Sequence, residues 1–254
     1  MSEMSPATGP DAPRGPMTLE CRNVSLRFGG VTALADVSLS ILSGGITAIM
    51  GPNGAGKTTL LNCMTGMMSR YEGSIRLDDV VIDGMAPRRR TQAGLVRTFQ
   101  MTRVFASLSI EENIFLAGSA VRQVLTQDRC SEVIELIRLQ HMRHRSASEL
   151  SGGQRRLLEI GMCIAQAPRF LMMDEPFAGL NPMMVSTVCE LMADFARSGA
   201  GVVLVSHEIP LVRRHADRVV VMAQGAVLAD GVPEQVLSDP RVAEIYLGGS
   251  VARH

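Results

Sequence analysis

Apolar positions along the chain follow two rhythms. Period-two alternation or short unbroken apolar runs occupy Leu19 to Phe28, Val37 to Leu42, Ile46 to Met50, Gly73 to Leu77 and Leu95 to Phe99, and each predicts a strand. The same reading gives strands at Phe170 to Met173, Gly201 to Val205, Arg218 to Met222 and Ala226 to Ala229. Helical periodicity fills much of the rest. The early strands lie close together with turns between them and predict an antiparallel part, whereas the later ones alternate with helices and predict a parallel sheet. The class is α/β with a mixed sheet. Between Gln100 and Gln166 no strand pattern occurs, which predicts a helical subdomain over about residues 101–166, inserted into the sheet domain. Within it, Ser109-Ile-Glu-Glu112 reads as a capping box opening a helix through about Val124, and Ser131 is expected to start another that runs to about Leu139.

Composition narrows this picture. A chain of 254 residues with 46% apolar side chains can bury a large core. Residues 1–16 mix Pro, Gly, Ser and Ala without periodicity and read as a flexible N-terminal tail, leaving 17–254 for the folded part. No run approaches the about 18 apolar residues that a bilayer crossing needs, so a membrane role would run through a partner. The 25 basic and 25 acidic side chains cancel, which gives no field for a nucleic acid. Arg88-Arg89-Arg90 is the compact basic run and is expected to be a solvated surface segment. Five dispersed cysteines without a C-x-x-C pair point to reduced thiols, with no disulfide frame and no zinc site. His141 and His144 lie three apart among arginines, with no carboxylate cluster nearby, and are read as a solvated face.

Chemistry enters at the end of the Ile46 to Met50 strand. The run Gly51, Pro52, Asn53, Gly54, Ala55, Gly56, Lys57, Thr58, Thr59 fits G-x-x-x-x-G-K-[ST] and lies between a predicted strand and a predicted helix. Glycines let the backbone curl so that successive N–H groups converge on phosphate oxygens, and the helix that follows adds its positive end. Lys57 is expected to reach the β- and γ-phosphates, and the Thr58 hydroxyl to ligate Mg²⁺.

Open parallel sheets bind ligands beyond the carboxyl ends of their strands. Four apolar runs end in polar residues of use there: the phosphate loop after Met50, Gln100 after Phe99, Asp174 and Glu175 after Met173, and Ser206 and His207 after Val205. Asp174 suits a direct or outer Mg²⁺ partner beside Thr58. Glu175 suits a general base for a water attacking the γ-phosphorus. His207 is a candidate γ-phosphate donor, and Gln100 a contact to both magnesium and water.

Leu150-Ser-Gly-Gly-Gln154 opens another helical pattern. Ser151 and Gln154 alone make a capping box, but a cap does not call for Gly152 and Gly153. Two glycines at a helix start expose main-chain N–H groups and make a second anion site.

These five elements, in this order and spacing, resemble the P-loop ATPases of the ATP-binding cassette (ABC) family over about residues 17–248. The resemblance implies a cassette with an antiparallel β subdomain and an inserted helical subdomain, which binds ATP with Mg²⁺ and hydrolyses it. It implies that Ser151, Gly152, Gly153 and Gln154 complete the site of a second cassette, a like or related chain, so that two subunits sandwich two ATP molecules. Phe28 matches an aromatic that stacks on adenine. Val96-Arg-Thr-Phe-Gln100, Arg103-Val-Phe105, Ala178-Gly-Leu-Asn-Pro182 and Asp239 to Gly248 look like the cassettes of branched-chain amino acid importers, while Glu159 to Gln166 is similar to the urea-type branch. Asn181 stands where the family usually places Asp. In such importers the cassette sits on the cytoplasmic face of the inner membrane against permease subunits, and a solute-binding protein acts indirectly. A soluble cassette working on ribosomes or DNA fits less well, since the chain has one cassette, no coiled coil and no charge excess. A P-loop kinase would leave Leu150 to Gln154 unexplained.

Overall fold

The computed structural model describes residues 16–99, 103–119 and 125–248; of the expected tail, residues 1–15 lie outside these. In β1 (Thr18–Phe28) Leu19, Cys21, Val24 and Leu26 are buried, and a turn at Gly29-Gly30 leads into β2 (Val31–Leu42). This strand starts six residues before the apolar run that signals it, because its first half, Val31 to Asp36, keeps no period-two alternation. Next come β3 (Ile46–Met50), α1 (Lys57–Met64), β4 (Glu72–Leu77), β5 (Val80–Val81), α2 (Pro87–Gln92) and β6 (Leu95–Arg97). Helices α3 (Ile110–Ser119), α4 (Gln127–Leu136) and α5 (Gly152–Ile164) follow, with short 3₁₀ turns at Gln140–Met142 and Ala147–Glu149. The chain continues through β7 (Phe170–Asp174), α6 (Pro182–Arg197), β8 (Gly201–Val205), α7 (Ile209–His215), β9 (Arg218–Ala223), β10 (Ala226–Gly231), α8 (Pro233–Val236) and α9 (Pro240–Gly248).

Two sheets result. The first is antiparallel with order β2-β1-β4-β5, and the second has order β10-β9-β3-β8-β7-β6. In the second, β9, β3, β8, β7 and β6 are parallel and only β10 runs against its neighbour. Every residue of β3, β7 and β8 is buried, which is why these strands are unbroken apolar runs rather than alternating ones. Their side chains divide by the pleat: Phe170, Met172, Val203 and Val205 join the core shared with the antiparallel sheet and α1. Leu171, Met173, Val202 and Leu204 join the core shared with α5 and α6. Among the described residues no helix is long and apolar enough to cross a membrane.

The expected capping box at Ser109 forms, with Ser109 N donating to Glu112 Oε2 at 2.7 Å and Glu112 N to Ser109 Oγ at 3.2 Å. Residues 120–124, the expected end of that helix, lie outside the described residues. The next helix starts four residues earlier than expected. Thr126 is its cap, accepting from Arg129 N at 3.2 Å, while Ser131 lies inside and donates to Gln127 O at 3.0 Å.

The basic run is solvated only in part, against expectation. Arg88 and Arg89 are exposed, but Arg90 has no exposed surface. Pro87 starts α2, and the helical phase turns only the third arginine inward. Its Nη1 donates to the carbonyls of Cys63 and Met64 at 2.6 and 2.9 Å. A cation thus closes the negative end of α1, the helix that leaves the phosphate loop. All five cysteines are buried and unpaired; burial pushes the Cys63 and Cys189 thiols up to about 11. His141 and His144 are exposed, and His144 Nδ1 lies 3.2 Å from Glu111 Oε2.

Candidate active site

The parallel register brings the carboxyl ends of neighbouring strands together. Val205 of β8 pairs with Ile49 of β3 on one side and with Asp174 of β7 on the other. Residues just beyond these ends therefore share one crevice. A cleft there is lined by the loop from Asn53 to Thr59 together with Thr32, Asp174, Glu175 and Val205.

The loop geometry demands glycine at two places. Gly51 has φ 143°, and a Cβ there would sit 2.1 Å from Met222 O; Gly56 has φ 97°, and a Cβ would sit 2.5 Å from Ala33 O. Gly56 precedes α1 without any side-chain cap, so the N–H groups of the first turn remain available to an anion. Pro52 is half-buried, Asn53 and Gly54 are exposed, and Ala55 is buried. The Lys57 side chain folds back across the loop, its Nζ donating to Gly51 O at 2.8 Å and Pro52 O at 2.9 Å. Burial lowers the Lys57 pKa, and the Glu175 and Asp174 carboxylates oppose that shift.

Asp174 and Glu175 are neighbours in different surroundings. Asp174 is 1% exposed; Oδ2 lies 3.4 Å from Arg97 Nη2, and Oδ1 is buried without a hydrogen bond. An orphaned buried carboxylate oxygen is costly, and a cation beside it removes that cost. Asp174 and Thr58 line the same cleft, and a carboxylate with a hydroxyl is the hard oxygen chemistry that suits Mg²⁺. Among the described residues no three His, Cys, Asp or Glu side chains converge. A divalent ion here would draw part of its shell from phosphate, as Mg²⁺ commonly does. Glu175 lies just past the strand with φ 48°, its N–H donating to Val205 O at 2.9 Å. Its Oε2 lies 2.9 Å from His207 Nδ1. The arrangement can hold a triphosphate on main-chain donors and place a carboxylate beside its far end.

Other expected residues lie elsewhere. Gln100 falls outside the described residues. Phe28, 49% exposed at the end of β1, borders a separate shallow cleft with Met68 and Arg70. Ser151 caps α5, accepting from Gln154 N at 3.3 Å while Ser151 N donates to Gln154 Oε1 at 2.9 Å. None of Ser151, Gly152, Gly153 and Gln154 lines the phosphate cleft. A Cβ on Gly152 would meet nothing within 4 Å, whereas one on Gly153 would touch Met184 Cγ at 3.0 Å. Among the described residues nothing explains the first glycine. Asn181 caps α6, accepting from Met184 N at 2.9 Å.

Two residues near the site carry little signal in the sequence. Arg97 holds Asp174 Oδ2 and donates to Asn62 Oδ1; a lone charge in an apolar strand was the available signal. Tyr246 of α9 has a buried hydroxyl with no well-formed hydrogen bond. Burial raises its pKa; the nearby Gly51 N–H opposes the rise and the Glu175 charge adds to it. The C-terminal helix therefore reaches the phosphate loop.

A family model described as "ABC transporter" matches residues 34–178, and one described as "Branched-chain amino acid ATP-binding cassette transporter" matches residues 226–252. The high-affinity branched-chain amino acid transport ATP-binding protein BraF of Pseudomonas aeruginosa is 38% identical, covering 91% of this chain and 97% of that protein. Its Escherichia coli counterpart LivG is 36% identical over the same shares. The lipopolysaccharide export system ATP-binding protein LptB of Escherichia coli is 34% identical, again over 91% and 97%. Among solved structures, a nucleotide-free ATP-binding cassette from an ABC transporter superposes with TM-score 0.81 at 30% identity, over 91% of this chain and 98% of that one. The ADP conformation of an ABC transporter cassette gives TM-score 0.82 at 31% identity, over 91% and 99%. Similar to such proteins over nine-tenths of its length, this chain belongs to the ABC transporter family and is an ATP-hydrolysing cassette.

Proposed function

We propose that this cassette powers uptake of branched-chain amino acids through a separate membrane permease, working at the cytoplasmic face of the inner membrane. The observation that carries the substrate class is the C-terminal match over residues 226–252 to the branched-chain family, in the segment that brings Tyr246 to the phosphate loop. The triphosphate rests on the N–H groups of the Gly51 to Thr59 loop, with Lys57 turning from Gly51 O and Pro52 O to the β- and γ-phosphates. Mg²⁺, held by Thr58 and Asp174 with Gln100, would neutralise charge developing on the phosphoryl oxygens. Glu175 accepts the proton of the attacking water, and His207 orients that carboxylate and reaches the γ-phosphate. Phe28 supports the adenine.

Completion by a second cassette is supported by Gly152, whose open surroundings leave room for another molecule's phosphate at the start of α5. A permease contact is supported by the exposed side chains of Phe105, Phe115 and Leu116 around α3. Import of urea or short amides is the second reading, favoured by the stretch Glu159 to Gln166. Reconstitution in liposomes with the membrane subunits that co-purify, and with their solute-binding protein, tests both. ATP-dependent uptake of leucine is expected; uptake of urea in its place overturns the substrate class, and co-purification with ribosomes or DNA overturns the transport role.

A further inference from the structure

Helix α5 carries an ion pair that no phosphate chemistry requires directly. Arg156 and Glu159, three apart on one helix face, have side chains 6% and 4% exposed, with Arg156 Nη1 2.6 Å from Glu159 Oε2. Among the described residues their remaining bonds go to main chain at the edge of the site. Arg156 donates to Phe99 O at 2.7 Å, Asp174 O at 3.2 Å, Glu175 O at 3.4 Å and Pro176 O at 3.4 Å. Glu159 Oε1 accepts from Phe99 N at 3.2 Å and Arg103 N at 3.4 Å.

One pair therefore holds three pieces of chain: the exit of β6 on both sides of Gln100, the turn that presents Asp174 and Glu175, and the helix that begins with Ser151 and Gly152. We propose that Arg156 and Glu159 are positioning residues for ATP hydrolysis, fixing the main chain of Glu175 relative to β6 and to the start of α5. A buried ion pair stabilises a fold no better than a well-packed apolar pair, so stability alone does not account for two charges here. What the charges provide is a fixed fork of donors and a shared acceptor, each saturated by a loop that has no regular ladder of its own. Glu175 needs such support, since its φ of 48° is one that non-glycine residues seldom adopt and that persists only where surroundings enforce it. The phosphate loop receives none of these bonds, so the pair acts on turnover and not on nucleotide binding.

The inference rests on Glu175 as the base, and the test separates the two. It uses the full chain as wild type, Glu175→Gln, Arg156→Lys and the double variant Arg156→Met/Glu159→Leu. Lysine keeps the charge facing Glu159 but replaces the planar fork with one compact head that cannot reach all four carbonyls. The double variant fills the space with apolar side chains. Both are expected to stay folded, the double variant melting lower because it leaves main-chain groups unpaired, and to keep the wild-type KM for ATP while kcat falls by about tenfold to a hundredfold, the loss that a small misplacement of a catalytic group produces. Wild-type kcat in a folded variant overturns the proposal, as does a raised KM with unchanged kcat. Failure of both variants to fold also overturns it, by making the pair a stability element. If Glu175→Gln turns over like wild type, the base assignment fails; if it is inactive while the pair variants are not, this inference alone fails.

Discussion

His207 Nδ1 lies 2.9 Å from Glu175 Oε2, joining the residue just beyond β7 to one just beyond β8. The carboxylate is mostly buried and the imidazole mostly exposed, at 20% and 65%. A solvent-facing ring thus fixes the direction of a sheltered carboxylate, as the general base proposed for Glu175 requires.

Glu175→Gln should keep ATP binding and lose turnover by about 10²-fold or more, because the amide cannot take a proton. His207→Ala should lower kcat by a smaller factor with Glu175 still present. Phosphate release together with a nucleotide titration checks both, and wild-type hydrolysis by Glu175→Gln would remove the assigned base.

Gly152→Ala and Gly153→Ala should differ in kind. A methyl at 152 meets nothing within 4 Å among the described residues, while at 153 it presses on the flexible Met184 side chain. Gly152→Ala is therefore expected to melt like wild type yet to dimerise poorly with ATP. Size-exclusion chromatography in a Glu175→Gln background measures this, and an undiminished dimer peak would show that nothing packs against residue 152.

Much of this was legible in the sequence for identifiable reasons. Phe170–Asp174 and Gly201–Val205 stood out because both faces of a central parallel strand are buried, leaving no polar position to break the run. The phosphate loop stood out because Gly51 and Gly56 occupy conformations closed to other residues. Arg90 was hidden since three consecutive arginines look alike until helical phase sorts them. Thr126 gives no cap signal because Gln127-Asp128-Arg129 carries no apolar periodicity after it. Arg156 and Glu159 fall in the helical pattern that Leu150 to Gln154 opens, and nothing local marks two charges there as buried; tertiary packing turns both inward.

Arg90→Ala should destabilise the fold by about 3 kcal/mol or more, since it strands two buried carbonyls and leaves a void. The carbonyls are those of Cys63 and Met64 at the end of α1. Urea unfolding reads the loss as a lower midpoint; an unchanged midpoint would mean that water replaces the guanidinium without cost.

Acid stability should depend on Asp83. Burial alone would raise its pKa, but Tyr71 Oη and Ile75 N donate to Oδ1 at 2.7 and 2.8 Å, Ser74 Oγ donates to Oδ2 at 2.7 Å, and Arg90 adds its charge. The net shift is downward. With the folded pKa below the unfolded value of about 3.9, the folded state binds fewer protons in that window, and stability falls with falling pH. The contribution is complete above the unfolded pKa and is lost as pH drops through the folded one. Asp83→Asn removes the charge at every pH, so wild type should exceed the variant in urea midpoint at pH 7 by a margin that shrinks toward pH 3. The margin should be modest and smaller in high salt, because the side chain is largely exposed. A gap that stays constant from pH 7 to pH 3 would place the stabilisation in the shape of the hydrogen bonds and not in the carboxylate charge.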